Sequence, residues 1–305
     1  MTGAVAARAA AEDAPLRVLY VTKSEGFEHG PVAEIDGQPS HSQKIFDELA
    51  SKHGWTLTTT KDAALVNAEN LANYDVVMFY TQGDITQMGT KDQGKPMAPE
   101  GVQELLTWIE NGGGFVAIHA GTDSFRTGDA ETPSDYIAMV GGEFRTHGPQ
   151  FVGSLKVVSP GHPVAAGQPE DWTVNEEWYL WRHLNAANMH VVATVDPGRA
   201  RRALEDYDLP DYPMVWVSSH GKGRVYVNGM GHREDVWDHE NFQNWLVNGI
   251  HWAAGQGEAM TTPNYHEHIS ADIDPRTGML TEEAKANKEP HEKERLPRRE
   301  RPSGE

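Results

Sequence analysis

Apolar positions in this chain come in short β-branched runs, each followed by a stretch in which they recur at helical spacing. The run RVLYVT at 17–22 predicts a first strand. A loop with Gly26, His29 and Gly30 follows, and then Ile45, Phe46 and Leu49 predict a helix over 42–53. Residues 56–60 alternate weakly and predict a second strand. A short helix near 68–72 leads into YDVVMFY at 74–80, which has the continuous apolar character of a buried strand. Residues 81–98 are polar and Gly-rich, which predicts a long loop over one end of the sheet. Val102, Leu105, Leu106 and Ile109 set a helix over 99–111, stopped by the glycines at 112–114. A short, wholly apolar strand at 115–118 then ends at His119. Further strands are predicted at 154–158, 190–195, 214–218 and 224–228, and an amphipathic helix at 242–254 carries Trp245, Leu246, Ile250 and Trp252.

Strands alternating with helices imply an α/β domain with a mainly parallel, doubly wound sheet and right-handed crossovers. Ligand sites in such sheets lie beyond the carboxyl ends of the strands. Two polar segments reach that end, residues 25–30 and 119–125. The domain is assigned to 16–255. Beyond Gly255 the apolar periodicity fades, so 256–305 reads as an extended, disordered tail, mostly charged from 281 onward. Residues 1–15 are Ala-rich and read as a flexible segment outside the fold. They are too short and too weakly apolar for an intact signal peptide. Met1 as the native start implies the cytosol, whereas a cleaved remnant implies export.

The composition narrows the chemistry. A net charge of −19 disfavours nucleic acid and anionic membrane as general partners, and suits a neutral or cationic small molecule or a metal ion. No run approaches the roughly 20 apolar residues that span a bilayer, which predicts no membrane insertion. The chain has no cysteine, so thiolate chemistry and disulfides are excluded. With 15 histidines and no thiol, a transition-metal site here must be built from imidazole and carboxylate. No GxGxxG follows the first strand, which argues against a nicotinamide enzyme.

Four segments stand out. In GGGFVAIHAG (112–121) a glycine stop, a strand and a sharp small-residue turn would lift one side chain, the imidazole of His119, above the sheet, as nucleophile elbows do. The bland alternative is a strand-end cap. In YVNGMGHRED (226–235) a strand delivers Gly-flanked His232 with Glu234 and Asp235 just beyond, a carboxylate that orients the ring or an ordinary polar loop. His29 and His147 are also Gly-flanked, where the backbone can approach a ligand closely. NEEWY (175–179) sets Glu177 beside Trp178 and Tyr179, a pairing that suits a sugar and equally an ordinary helix start.

GGGFVAIH, GGEFRTHGP, GHPVAAG, NEEWY, PMVWVSSHGKGRVYVNGMGHRED and WLVNGIHWAAG occur in an order that resembles the ThuA-like family of trehalose utilisation proteins. The resemblance covers roughly 16–255. It implies the class I glutamine amidotransferase-like fold, a flavodoxin-like layered α/β domain. Amidotransferases carry Cys at the elbow and a late His-x-Glu. Here the elbow holds His119, the His-x-Glu spacing survives at His232 and Glu234, and no thiolate exists, so glutaminase chemistry is excluded.

The family's link to disaccharides and oxidised sugars implies a small-molecule sugar substrate. The resulting expectation is that His29, His119, His147 and His232 converge on a divalent metal, Zn²⁺ on ligand type or Mn²⁺. Catalytic roles would fall to His119, Glu177, His232 and Glu234, with Glu177 or Glu234 as general base or acid. Tyr179, Trp178, Trp181 and Trp237 would position the sugar. The reaction would be hydrolysis, elimination or isomerisation of a glycoside or keto-glycoside by a hydrolase or lyase. Two other readings remain at this point: a non-catalytic sugar-binding protein with dispersed histidines, and a metal-free enzyme using His119 and His232 as an acid–base pair. Oligomeric state is left open.

Overall fold

The computed structural model describes residues 14–128, 131–288, 294 and 296. In chain order the strands are β1 (Arg17–Val21), β2 (Thr56–Thr60), β3 (Val76–Phe79), β4 (Gly114–Ile118), β5 (Glu143–His147), β6 (Phe151–Val157), β7 (Asp171–Glu176), β8 (Tyr179–Arg182), β9 (His190–Asp196), β10 (Tyr212–His220), β11 (Gly223–Asn228), β12 (Ile273–Asp274) and β13 (Met279–Leu280). The α-helices are α1 (His41–His53), α2 (Ala68–Leu71), α3 (Gly101–Glu110), α4 (Asp135–Val140), α5 (Ala200–Ala203), α6 (Glu234–Trp237), α7 (Glu240–Ala253), α8 (Tyr265–His268) and α9 (Glu282–Asn287).

Nine strands form one sheet in the order β2-β1-β3-β4-β11-β10-β9-β6-β7. β2, β1, β3, β4 and β11 are mutually parallel, and β10 and β6 reverse so that β9 and β7 run with the first five. The fold is therefore α/β around a large, mainly parallel sheet. Every residue of β3 and β4 is buried. Because successive side chains point to opposite faces, that burial means both faces of the sheet centre are covered. Local sequence signals set the helix ends. Ser40 caps α1 by accepting from the Gln43 amide, and Gly54 ends it in the left-handed region at φ 71°.

The predicted strands and helices before residue 128 fall within a few residues of these bounds. β5, β7 and β8 are additions. NEEWY closes β7 and opens β8 rather than starting a helix. β5 and β8 form a separate two-stranded ribbon in which His147 faces Tyr179.

The assignment of 256–305 as a disordered tail is corrected for 256–288. Tyr265, Ile269 and Ile273 are buried in the core, and the Asn264 amide bonds the Val191 carbonyl while its Oδ1 accepts from the Val191 amide. The Arg276 carbonyl accepts from the His183 amide. This segment has too few apolar residues for a visible period, yet Tyr265, Ile269 and Ile273 join the core. Residues 289–293, 295 and 297–305 of the predicted tail, and 1–13 of the predicted N-terminal segment, lie outside the described residues. No helix among the described residues is long and apolar enough to cross a membrane.

Candidate functional site

The carboxyl ends of β1, β4, β7 and β11 each deliver one side chain to a common point. His119 ends β4 at φ +44°, a left-handed backbone that a non-glycine residue adopts at a cost of about 1 kcal/mol or more. Two bonds hold it there. Thr122 Oγ1 donates to the His119 carbonyl at 2.7 Å, and His119 Nδ1 donates to the Gly229 carbonyl at 2.9 Å. The turn tolerates only glycine at 121, where a Cβ would sit 2.6 Å from the Phe79 carbonyl oxygen. Because a carbonyl can only accept, Nδ1 carries the proton and Nε2 keeps its lone pair. That Nε2 is buried without a hydrogen-bond partner.

The other imidazoles repeat the pattern. His29, on the loop after β1, is buried with Nε2 3.2 Å from Tyr179 Oη and Nδ1 unpartnered. His232 follows Gly231, whose φ of +118° and buried backbone suit glycine. The Gly231 amide donates to Glu176 Oε2 and the Gly231 carbonyl accepts from Tyr80 Oη and Trp237 Nε1. His232 Nδ1 lies 2.8 Å from Glu177 Oε2 but makes no aligned hydrogen bond. His119 Nε2 is 3.5 Å from the same oxygen. The rings of His29, His119 and His232 are mutually 5.1, 5.3 and 5.4 Å apart between centroids.

His29, His119, Glu177 and His232 each offer one donor atom, and all four atoms lie within 4.8 Å of one another. This is a buried His/Glu cluster of metal-binding composition. Donors sharing one ion at about 2.1 Å are at most about 4.2 Å apart, so small inward rotations of the side chains suffice. The electrostatics agree. Burial, then the neighbouring His119 and His232, holds His29 well below the usual imidazole range, and burial also lowers His119. Burial alone would raise the Glu177 carboxyl, but the close approach of the His119 and His232 imidazoles outweighs it and holds the group well below the usual carboxylate range. Burial thus favours the neutral imidazole at His29 and His119 while Glu177 stays ionised, the protonation states that metal ligation requires.

The remaining candidates fall elsewhere. His147 is not one of the four. Ending the β5–β8 ribbon, it is exposed, and its Nδ1 meets Glu177 Oε1 at 3.2 Å, on the other oxygen from the one facing His119 and His232. Glu177 takes its place in the group. Glu234 is exposed at the start of α6 with its carboxylate beside Gly30, outside the group.

Trp178, Trp181 and Trp237 are buried in the core, and their indole N–H groups donate to the carbonyls of Phe151, Pro213 and Gly231. They have no face left for a sugar, which corrects the expected platform role. Tyr179 is also buried, packed against His119 with centroids 3.8 Å apart and planes tilted by 31°.

A sequence model of the ThuA family, described as trehalose utilisation, matches residues 17–253. The chain belongs to the ThuA family. That description gives this ThuA chain a carbohydrate-related role. A ThuA-like protein from Bacteroides uniformis superposes with a TM-score of 0.61 at 20% identity, covering 82% of this chain and 96% of that one. Another from Parabacteroides merdae gives 0.58 at 16% identity, covering 79% and 90%. At such identities the likeness concerns the fold. No curated protein matches the chain.

Several residues that shape this ThuA site were not singled out from the sequence. Glu176 is wholly buried beside Glu177, and burial pushes its carboxyl up to about 8. Gln82 lies just after β3. Its Oε1 accepts from the amides of Gly26 and Phe27 at 3.0 and 2.9 Å, and its Nε2 donates to Asp123 Oδ2 at 2.9 Å. Gln82 and Asp123 thereby clamp the loop that carries His29. Position at a strand's carboxyl end was the available signal for Gln82, and membership of the polar segment 119–125 for Asp123.

Proposed function

We propose that this ThuA-family chain is a metal-dependent enzyme acting on a glycoside or keto-glycoside by hydrolysis, elimination or isomerisation. The observation that carries the reading is a set of three buried imidazole nitrogens, on His29, His119 and His232, that have no hydrogen-bond partner and surround one carboxylate. An orphaned buried polar atom is costly, at about 1–3 kcal/mol each, and three together argue for a missing common partner. Three imidazoles and a carboxylate suit Zn²⁺ by ligand type. Bound there, a divalent ion supplies a Lewis acid for a sugar carbonyl or hydroxyl.

The chain's own residues do the rest. The Gly229 carbonyl holds His119 in the tautomer that leaves Nε2 free. Tyr179 fixes the His29 ring through its phenol. His147, exposed, with its Nδ1 bonded to the Gly148 carbonyl and 3.2 Å from the outer oxygen of Glu177, is the group placed to exchange a proton with a substrate, a role that Glu234 is poorly sited to fill. The presence of Glu177 and a third histidine beside His119 and His232 favours this reading over a metal-free acid–base pair. The test is turnover of glycosides and their keto forms by metal-loaded protein, with a chelated sample alongside. Activity that disappears on chelation and returns with Zn²⁺ or Mn²⁺ supports the reading; activity indifferent to metal overturns it.

A further inference from the structure

We propose that Phe27 is the aromatic platform on which the ring of the sugar lies, an inference that rests on the carbohydrate reading above. Phe27 is 60% exposed, and among the described residues it is the only Phe, Tyr or Trp side chain that is exposed. Every Trp and Tyr in those residues is buried or partly buried. Leaving a phenyl ring in water forgoes the free energy of burying it. A single exposed apolar residue is ordinary on a surface. This one is distinguished by where it sits and how firmly it is held.

Its ring meets the His29 imidazole edge-on, with centroids 4.8 Å apart and planes at 85°, so it borders the four-residue cluster. The backbone beneath it is fixed from several sides. Gln82 Oε1 accepts from the Gly26 and Phe27 amides, and Thr90 Oγ1 donates to the Gly26 carbonyl. The Glu25 amide and carbonyl pair with the Gln82 carbonyl and the Thr90 amide. The ring therefore stands on an ordered loop rather than a mobile one, two residues from a cluster member.

A pyranose ring has faces made of C–H groups that lie flat against an aromatic π surface, while its hydroxyls stay free for polar partners. Phe27 offers the one uncovered phenyl, phenol or indole face beside the site, and its negative π face is matched to a sugar's C–H groups rather than to an anion. A substrate resting there keeps its oxygens directed at the imidazoles and at His147.

The experiment uses full-length zinc-loaded protein and isothermal titration with trehalose, methyl α-glucoside and their keto forms. Phe27→Ala is expected to weaken the sugar binding seen in wild type by about ten-fold, roughly the scale of one lost aromatic contact. Bound metal and melting temperature should be unchanged, and Phe27→Trp should restore affinity. Wild-type affinity in Phe27→Ala overturns the platform while leaving the carbohydrate reading intact. Loss of metal or of stability in Phe27→Ala also overturns it, because the ring would then be a structural prop. Wild-type protein that binds none of these sugars removes the carbohydrate reading and the platform together.

Discussion

Gln82→Ala is the substitution that most sharply tests how the site is built. It deletes three hydrogen bonds at once: two accepted from the Gly26 and Phe27 amides and one donated to Asp123. Each is worth a net ~0.5–1.5 kcal/mol. The Phe27 amide belongs to an exposed residue and can turn to water, so its bond counts at the low end. Asp123 is buried, and burial pushes its carboxyl above the usual range, so losing the amide partner there is the more costly event. The total comes to about 2–3 kcal/mol. For a domain of this size that corresponds to a fall in melting temperature of roughly 5 °C. The loop carrying His29 also loosens, and outer partners of metal ligands typically carry about ten-fold or more in metal affinity. Thermal unfolding with and without Zn²⁺, together with a competition titration for metal, reads both effects. Gln87→Ala, on the same loop but exposed, serves as the control. A melting temperature within a degree of wild type and unchanged metal affinity would refute the clamp. The loop would then be held by the backbone pairing of Glu25 with Gln82 and Thr90, the Thr90 bond to Gly26 and the Lys61–Glu28 pair.

Three further outcomes are expected. Burial drives His162 down to about 4, so the folded state resists its protonation while the unfolded chain protonates near 6.5. Its contribution is intact above about pH 6.5 and is lost as pH falls toward 4, by up to about 3 kcal/mol. In chemical denaturation, His162→Gln should lose less stability than wild type over that window, and parallel losses would refute the assignment. Truncation after Gln256 uncovers the gaps filled by Tyr265, Ile269 and Ile273, and should lower the melting temperature by several degrees where a disordered tail would leave it unmoved. Trp237→Phe keeps most of the buried ring but removes the bond to the Gly231 carbonyl. It should cost about 1–3 kcal/mol in denaturant unfolding with no change in sugar affinity at constant metal occupancy; a selective loss of sugar binding would return Trp237 to the substrate site.

The central strands were legible because a wholly buried parallel strand needs an unbroken apolar run, and YDVVMFY and GGGFVAI have one. The ribbon strand β5 and the edge strand β7 were not, since EFRTH and DWTVNE are mostly polar and gain order from their partners. His119 and His232 could be placed because glycines mark the tight turns that expose them. The roles of Glu177 and His147 could not be told apart in sequence. Both lie at strand ends, and only the pairing of β5 with β8 puts His147 on the outer oxygen of Glu177. The tryptophans misled because indole suits a sugar face and a hydrophobic core equally well. Phe27 drew no attention because nothing in GFEHG says which way its ring points.

The account turns on whether His29, His119, Glu177 and His232 hold an ion. Elemental analysis of untagged protein supplied with Zn²⁺ or Mn²⁺, beside a His119→Ala variant shown to be folded, tests this most directly. Stoichiometric metal in the wild type and its loss in the variant is the predicted result. Wild-type protein that remains metal-free, or a variant that retains the full complement, would contradict the account.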